Sequence, residues 1–353
     1  MGREPWVSQD ISFYSEGVKL RGEMFLPADH QPGERRAAWI LTSGYVSSYA
    51  SGGHNVDLCA RLAREGYVGL TFDHRGFGRS DGEERLAHPI MWATDIQNAI
   101  TYLQTRDEVD EMRIGLGGAS WGGSVSLYVA AIDDRVAAVF SRTAPEDGAK
   151  LLQRMRPLSD WQGFLRELDE DRKQRVLTGK GRTVDAFHVL PVSEEDKKTM
   201  AVWIESGNYG GNLQLQTAEA TILFKPEKFV HLISPRPVLY LHTPHDKVAG
   251  VEGAISMYEK SGEPKTLWLL PPRFYEGPSH YEVTQAKAHP DDPIDLNRVS
   301  KWSVVADHVI GWMKENVSNK VIKGTPEYSP PELKSGYSTR LLGESWLRMS
   351  CEG

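Results

Sequence analysis

Apolar and polar residues along this chain follow two rhythms, and the switches between them outline the fold. Residues 10–16 and 18–26 alternate polar with apolar on either side of Gly17. That period of two predicts a half-buried β-hairpin ending at Pro27. Residues 37–41 are apolar throughout, as expected of a parallel strand buried on both faces. Val56, Cys59, Leu62 and Ala63 then recur at helical spacing and stop at Gly66. A strand over 67–72, a helix marked by Ile96, Ile100 and Leu103, an apolar run at 112–116, a helix from Ser124 and a strand over 136–140 continue the alternation. Strand and helix in this order predict right-handed βαβ units, and so a doubly wound, mostly parallel sheet of the α/β class.

After the sixth strand the rhythm breaks. From about Thr143 to Leu232 no apolar strand run occurs, and charged helices appear instead, such as residues 166–175 with Trp161, Phe164, Leu165 and Leu168 on one side. Asp169 with Lys173, and Asp171 with Arg175, are acid-to-base pairs four apart, so this charge run reads as a solvated helix face. The insertion predicts a helical cap over one edge of the sheet. The sheet resumes with a strand at 237–242, a helix through Ile255 and Tyr258, a strand at 266–270, and a helix from Trp302 to about Asn316. The expected division is a core of 8–142 and 233–316, a cap of 143–232, and a tail of 317–353 that is either docked or disordered.

The chemistry centres on Gly118-Ala119-Ser120-Trp121-Gly122, which falls between an apolar run and a helix. This is the G-x-S-x-G pattern of a sharp strand-to-helix turn that lifts a serine hydroxyl clear of the sheet. Side chains at Gly118 or Gly122 would collide with the neighbouring strand or helix. A serine hydroxyl needs an imidazole to take its proton and a carboxylate to orient that imidazole. With this turn the order along the chain is serine, acid, histidine. Asp246 is the first carboxylate after the strand at 237–242, and His280 is the histidine of the loop after 266–270. Glu146 and Asp147, after the preceding strand, are alternates for the acid. His242 lies inside its strand and reads as a core histidine, while His245 precedes the acid and falls outside the required order. The oxyanion donors are expected to be the backbone N–H groups of Trp121 and Tyr45, with the Tyr45 phenol a further option.

Composition narrows the setting. The chain has 353 residues, 25% of them charged, and a formal net charge of −7. This gives no support to nucleic-acid or anionic-membrane binding. Two cysteines, Cys59 and Cys351, make no disulfide framework, and the first residues carry no secretory or myristoylation signal, so a cytoplasmic protein is expected. Asn316-Val317-Ser318 fits a glycosylation sequon and is read as chance. No run approaches a membrane span, no ligand set suggests a metal, and no cofactor is implied.

Ser43-Gly44-Tyr45, the 72–80 stretch with Asp73-His74-Arg75-Gly76, the Ser120 turn, Pro235-Arg236-Pro237 leading to Asp246, and Gly277-Pro278-Ser279-His280 carry a family resemblance. The chain resembles the α/β hydrolases. Within them it is similar to the dienelactone-hydrolase-like group, which includes bacterial serine esterases and fungal polyketide-transferase-type enzymes. Many relatives have His-Gly where this chain has Ser43-Gly44, and Gly-x-x-Asp where it has Pro244-His245-Asp246; both departures bear on the shape of the substrate site. The resemblance implies a serine hydrolase acting on a small-molecule ester, thioester or lactone. An acyltransferase or a C–C bond-forming or cyclising enzyme is the first alternative, and a non-catalytic small-ligand binder the second. Trp161, Phe164, Phe187, Trp203 and Tyr209 are the substrate-lining candidates, or else the core of the cap. A homodimer stays open.

Overall fold

The structure, a computed structural model, describes residues 5–49, 54–270 and 301–323. Ten-residue strands β1 (Trp6–Ser15) and β2 (Val18–Pro27) form the antiparallel hairpin, and β2 lies antiparallel against β4 (Val68–Phe72). From β4 the sheet runs parallel through β3 (Glu34–Thr42), β5 (Val109–Ala119), β6 (Val136–Arg142), β9 (Val238–His242) and β10 (Lys265–Leu269). The order β1-β2-β4-β3-β5-β6-β9-β10 confirms the doubly wound sheet. Helices α1 (His54–Arg64), α2 (Pro89–Gln104), α3 (Trp121–Ile132) and α10 (Val251–Lys260) make the crossovers, and α11 (Lys301–Asn316) follows the last of these strands. Two apolar clusters result, one holding Ile40, Leu116, Trp92 and Val125, the other holding Trp39, Leu62, Phe140 and Val309. Successive residues on a strand point to opposite faces, so neighbours Trp39 and Ile40 enter different layers.

Between β6 and β9 lie α4 (Gly148–Arg154), α5 (Leu158–Thr178), α6 (Ala186–Val189), α7 (Glu194–Thr199), α8 (Ala201–Glu205) and α9 (Gln216–Leu223). A largely helical insertion therefore follows the sixth strand, where the cap was expected. It also contains a two-stranded antiparallel ribbon, β7 (Thr183–Asp185) with β8 (Asn212–Gln214), which the apolar pattern did not predict. Two expectations for α5 change. Leu165 is exposed, whereas Trp161, Phe164 and Leu168 are buried. Asp169 and Lys173 pair at 2.6 Å on the solvated face, but Asp171 is only 1% exposed and accepts the Arg182 backbone N–H at 2.6 Å besides pairing with Arg175. Asp171 thus ties the ribbon to the helix.

The start of the tail is docked. Arg113 donates to the Ser318 and Lys320 carbonyls at 2.6 and 2.8 Å, Tyr67 Oη donates to the Val317 carbonyl at 2.6 Å, and β11 (Ile322–Lys323) pairs with β3. No described helix is long and apolar enough to cross a membrane.

In the 73–80 stretch two polar residues, Asp73 and His74, are buried rather than part of a loop surface. Asp73, 1% exposed, accepts the Tyr49 and Arg79 N–H groups at 2.8 Å each. His74 is enclosed beside it, stacked on Trp92 at 4.2 Å with Nδ1 3.9 Å from Asp95. Burial, reinforced by the Arg75 charge, lowers the His74 pKa to about 3. An unfolded histidine titrates near 6.5, so between those values the unfolded chain holds a proton that the folded chain does not. Stability therefore falls as pH drops from about 6.5 towards 3. Burial raises the neighbouring Asp95 carboxyl, despite its pairing with Arg75, and this opposes part of the slope at the acid end. In His74→Phe, urea unfolding at pH 7 and pH 5.5 is expected to show a shallower pH dependence, by up to ~1.4 kcal/mol per pH unit. An unaltered slope would refute this account.

Candidate active site

Ser120 lies between β5 and α3 with φ 52° and ψ −126°, backbone angles that L residues rarely adopt. Such strain is of order 1–3 kcal/mol and persists only where the surroundings over-determine it. Here they do. The Ser120 N–H donates to the Arg142 carbonyl at 2.8 Å, and its own carbonyl accepts from Ser124 at 3.1 Å. Glycines let three backbones meet: a Cβ on Gly118 would lie 2.6 Å from the Gly122 carbonyl carbon, and one on Gly122 would lie 2.3 Å from the Ser43 oxygen. Beneath the turn, the Thr42 hydroxyl is within 3.0 Å of the Gly122 carbonyl and 2.9 Å of Ser126 Oγ. The serine thus stands at the N-terminus of α3, where unpaired N–H groups and the helix dipole favour negative charge.

The loop after β3 comes to the same point. A Cβ on Gly44 would touch Ser120 Cβ at 3.4 Å, so this glycine is the close approach between loop and serine. Tyr45 follows, 2% exposed, its ring edge-on to Trp121 at 5.8 Å. Its phenol is 3.2 Å from Thr221 Oγ1 on α9, and burial pushes its pKa far up. The phenol is engaged by the cap, which leaves the main-chain N–H as what Tyr45 can offer the serine. Trp121 is fully buried between Tyr45 and Phe224, with ring centroids 5.4 Å apart for the second pair. Its indole is a packing element under α9.

Asp246 belongs to the turn after β9. Strands β6 and β9 are neighbours, with Arg142 opposite Leu241 and the Thr143 N–H on the Leu241 carbonyl at 2.8 Å. The Asp246 turn and the Ser120 turn therefore share one end of the sheet. Asp246 is 7% exposed, and its Oδ1 accepts the Val248 and Ala249 N–H groups at 2.8 and 2.9 Å. His242 is fully buried with Nδ1 2.9 Å from the Thr243 carbonyl, in keeping with a core histidine, and His245 is exposed. His280 lies outside the described residues, as does Cys351. Leu270, the last residue described in this stretch, donates to the His242 carbonyl at 2.8 Å.

The alternate acids have other duties. Asp147 caps α4 by accepting the Ala149 N–H at 2.8 Å and the Lys150 N–H at 3.1 Å, and it pairs with Lys225 at 3.1 Å. Glu146, 1% exposed, lies 3.6 Å from Lys150 and 3.5 Å from Arg154.

The cap aromatics separate into two groups. Trp161, Phe164 and Trp203 are buried, with Phe164 stacked under Arg156 at 3.9 Å. Phe187 and Tyr209 are half-buried neighbours, and Tyr209 bridges to Ser47 of the loop after β3. Arg142 was not anticipated. Its guanidinium is buried 4.6 Å over the Trp302 ring, with desolvation lowering its pKa to about 9. An arginine two residues past the apolar run 136–140 was the only signal in the sequence. Among the described residues no group of His, Cys, Asp or Glu side chains is arranged to hold a metal ion.

A strand-turn-helix serine facing a glycine loop at the end of a parallel sheet agrees with the family comparison. The family model described as serine aminopeptidase, S33, matches residues 33–275, well over half of the chain. The chain belongs to this family of α/β hydrolases. It is 31% identical over 197 residues to an uncharacterized 31.7 kDa protein of Escherichia coli, an alignment covering 55% of this chain and 68% of that one. It is 25% identical over 286 residues to a polyketide transferase of Penicillium crustosum, covering 76% and 88%. The crystal structure of a hypothetical protein of Pseudomonas aeruginosa superposes with a TM-score of 0.72 at 20% identity, covering 89% of this chain and 95% of that chain. The enzyme class is thus established as α/β hydrolase, and the family resemblance seen in the sequence holds.

Proposed function

We propose that the enzyme is a serine hydrolase that cleaves a small-molecule ester, thioester or lactone through a covalent acyl-enzyme. The observation that carries this reading is the Ser120 backbone, held at φ 52° with Gly44 against its Cβ. Ser120 Oγ attacks the acyl carbonyl as His280 takes its proton, and a tetrahedral oxyanion forms. The N–H groups of Tyr45 and Trp121 stabilise that oxyanion, and Asp246 orients the imidazole. Collapse expels the alcohol or thiol, which His280 protonates, and water repeats the sequence on the acyl-enzyme to release the acid.

A fluorophosphonate is expected to label the wild type on the Ser120 peptide and to leave Ser120→Ala unlabelled. A wild type that stays unlabelled while binding a ligand tightly would sink the reading and favour the non-catalytic binder.

Transfer of the acyl group to an acceptor other than water is a second reading. It is favoured by the alignment with a polyketide transferase over 88% of that protein's length. Product analysis with an added alcohol separates ester formation from hydrolysis.

A further inference from the structure

Directly after Tyr45, Val46 adopts φ 50°, inside the left-handed region and 1% exposed. A β-branched residue is strained there, and such a backbone is kept only by its neighbours. Part of the hold comes from within the loop: Ser47 Oγ donates to the Gly44 carbonyl at 3.0 Å, and Ser43 Oγ to the Ser48 carbonyl at 3.1 Å. The rest comes from the cap. The Val46 carbonyl accepts the Gly210 N–H at 3.2 Å, and the Ser48 N–H donates to the Asn208 carbonyl at 3.2 Å. Ser48 Oγ also donates to Asn208 Oδ1 at 3.0 Å.

The cap segment making these bonds is held at its start by the Trp203 carbonyl, which accepts the Asn208 and Tyr209 N–H groups at 3.0 and 3.1 Å, and further along by the Arg85 side chain. Gly207, Gly210 and Gly211 all have positive φ, and this segment leads into the short ribbon. Arg85, on the loop before α2 and itself at φ 59°, donates from Nε to the Asn212 carbonyl at 2.6 Å and from a terminal nitrogen to the Gly210 carbonyl. Its guanidinium lies over the Phe77 ring at 4.8 Å, and its own carbonyl accepts the Gln214 N–H at 3.0 Å. A path of hydrogen bonds therefore runs from Arg85 through Gly210 to Val46, one residue from the proposed oxyanion donor.

We propose that Arg85 and Asn208 are positioning residues for the reaction: by pinning the 207–212 segment they hold strained Val46, and with it aim the Tyr45 N–H at the oxyanion. The inference rests on the serine-hydrolase reading above. Neither residue touches the reacting atoms. A displaced donor is felt in the transition state and little in ground-state binding, so the loss appears in kcat.

The test is steady-state hydrolysis of a p-nitrophenyl ester that the wild type turns over, with inhibition by a boronic acid that forms a tetrahedral serine adduct. Arg85→Ala and Asn208→Ala are expected to lower kcat by roughly ten-fold or more, a fraction of the 10²–10³ seen when an oxyanion donor is removed outright. KM should stay within about two-fold, and the boronate Ki should rise in step with the fall in kcat. Val46→Gly, which tolerates positive φ, is expected to restore part of the rate in Arg85→Ala. Wild-type kcat in both single variants, or an unchanged boronate Ki, overturns the inference. A loss of rate that only follows a loss of folded protein by circular dichroism overturns it too. Full activity of Ser120→Ala would instead mean that the underlying reading has failed.

Discussion

Asp246→Asn is expected to lower kcat by on the order of 10³–10⁴-fold while the protein stays folded, because an amide facing the imidazole fixes the wrong tautomer. The turn that carries residue 246 is held by Oδ1, which accepts the Val248 and Ala249 N–H groups. An asparagine oxygen accepts the same two bonds, so the substitution alters the proposed electrostatic role more than the backbone. Glu146→Gln is the comparison. Glu146 packs between Lys150 and Arg154, within α4 and its approach to α10, and its loss is expected to leave kcat within a few-fold of wild type. Initial rates and circular dichroism on both variants decide the matter. A large loss in Glu146→Gln with little in Asp246→Asn would move the acid to the end of β6.

Gly122→Ala is expected to destabilise the enzyme by about 1–2 kcal/mol. Two effects oppose one another. Alanine favours a helix over glycine by about 1 kcal/mol. Its Cβ, however, would stand 2.3 Å from the Ser43 carbonyl oxygen and 2.7 Å from that of Thr42, and neither is the mobile end of a side chain. Relieving that overlap means prising α3 from β3, and overpacking of this kind costs about 1–3 kcal/mol and occasionally more. The clash wins, and Tm should fall by roughly 1–3 °C. Gly163→Ala in α5 is the control, since its Cβ meets nothing nearer than the Arg166 guanidinium at 3.8 Å. There only the helix preference acts, and stability should rise slightly. Equal Tm for Gly122→Ala and wild type would refute the close-approach argument.

The sheet and its crossovers were legible because each buried strand is a run of apolar residues and each covering helix an apolar stripe, patterns set by local burial. Boundaries were less so. β1 begins at Trp6 because Trp6 pairs with Pro27 across the hairpin, and pairing leaves no mark on alternation. The β7–β8 ribbon escaped notice for a related reason: its strands are three residues each, and Asp171 and Arg85 hold them from outside. The Ser120 turn could be read because it needs glycines in fixed places, and the position of Asp246 after β9 because it is the first carboxylate past that strand. Arg142, Arg85 and Asn208 could not. Their roles depend on which loops the fold sets side by side, which no local spacing encodes. The Tyr45 phenol is a similar case, since Thr221 lies 176 positions along the chain.

The cap's attachment bears on how such enzymes diversify. The insertion joins the core covalently at β6 and β9, yet it is also bonded to Val46 and Ser48 on one loop and to Glu84, Arg85 and Ala87 on another. A foreign cap grafted between β6 and β9 would arrive without partners for either loop. The transplantable module is therefore the cap together with residues 44–48 and 84–87, three stretches far apart in sequence that must change together.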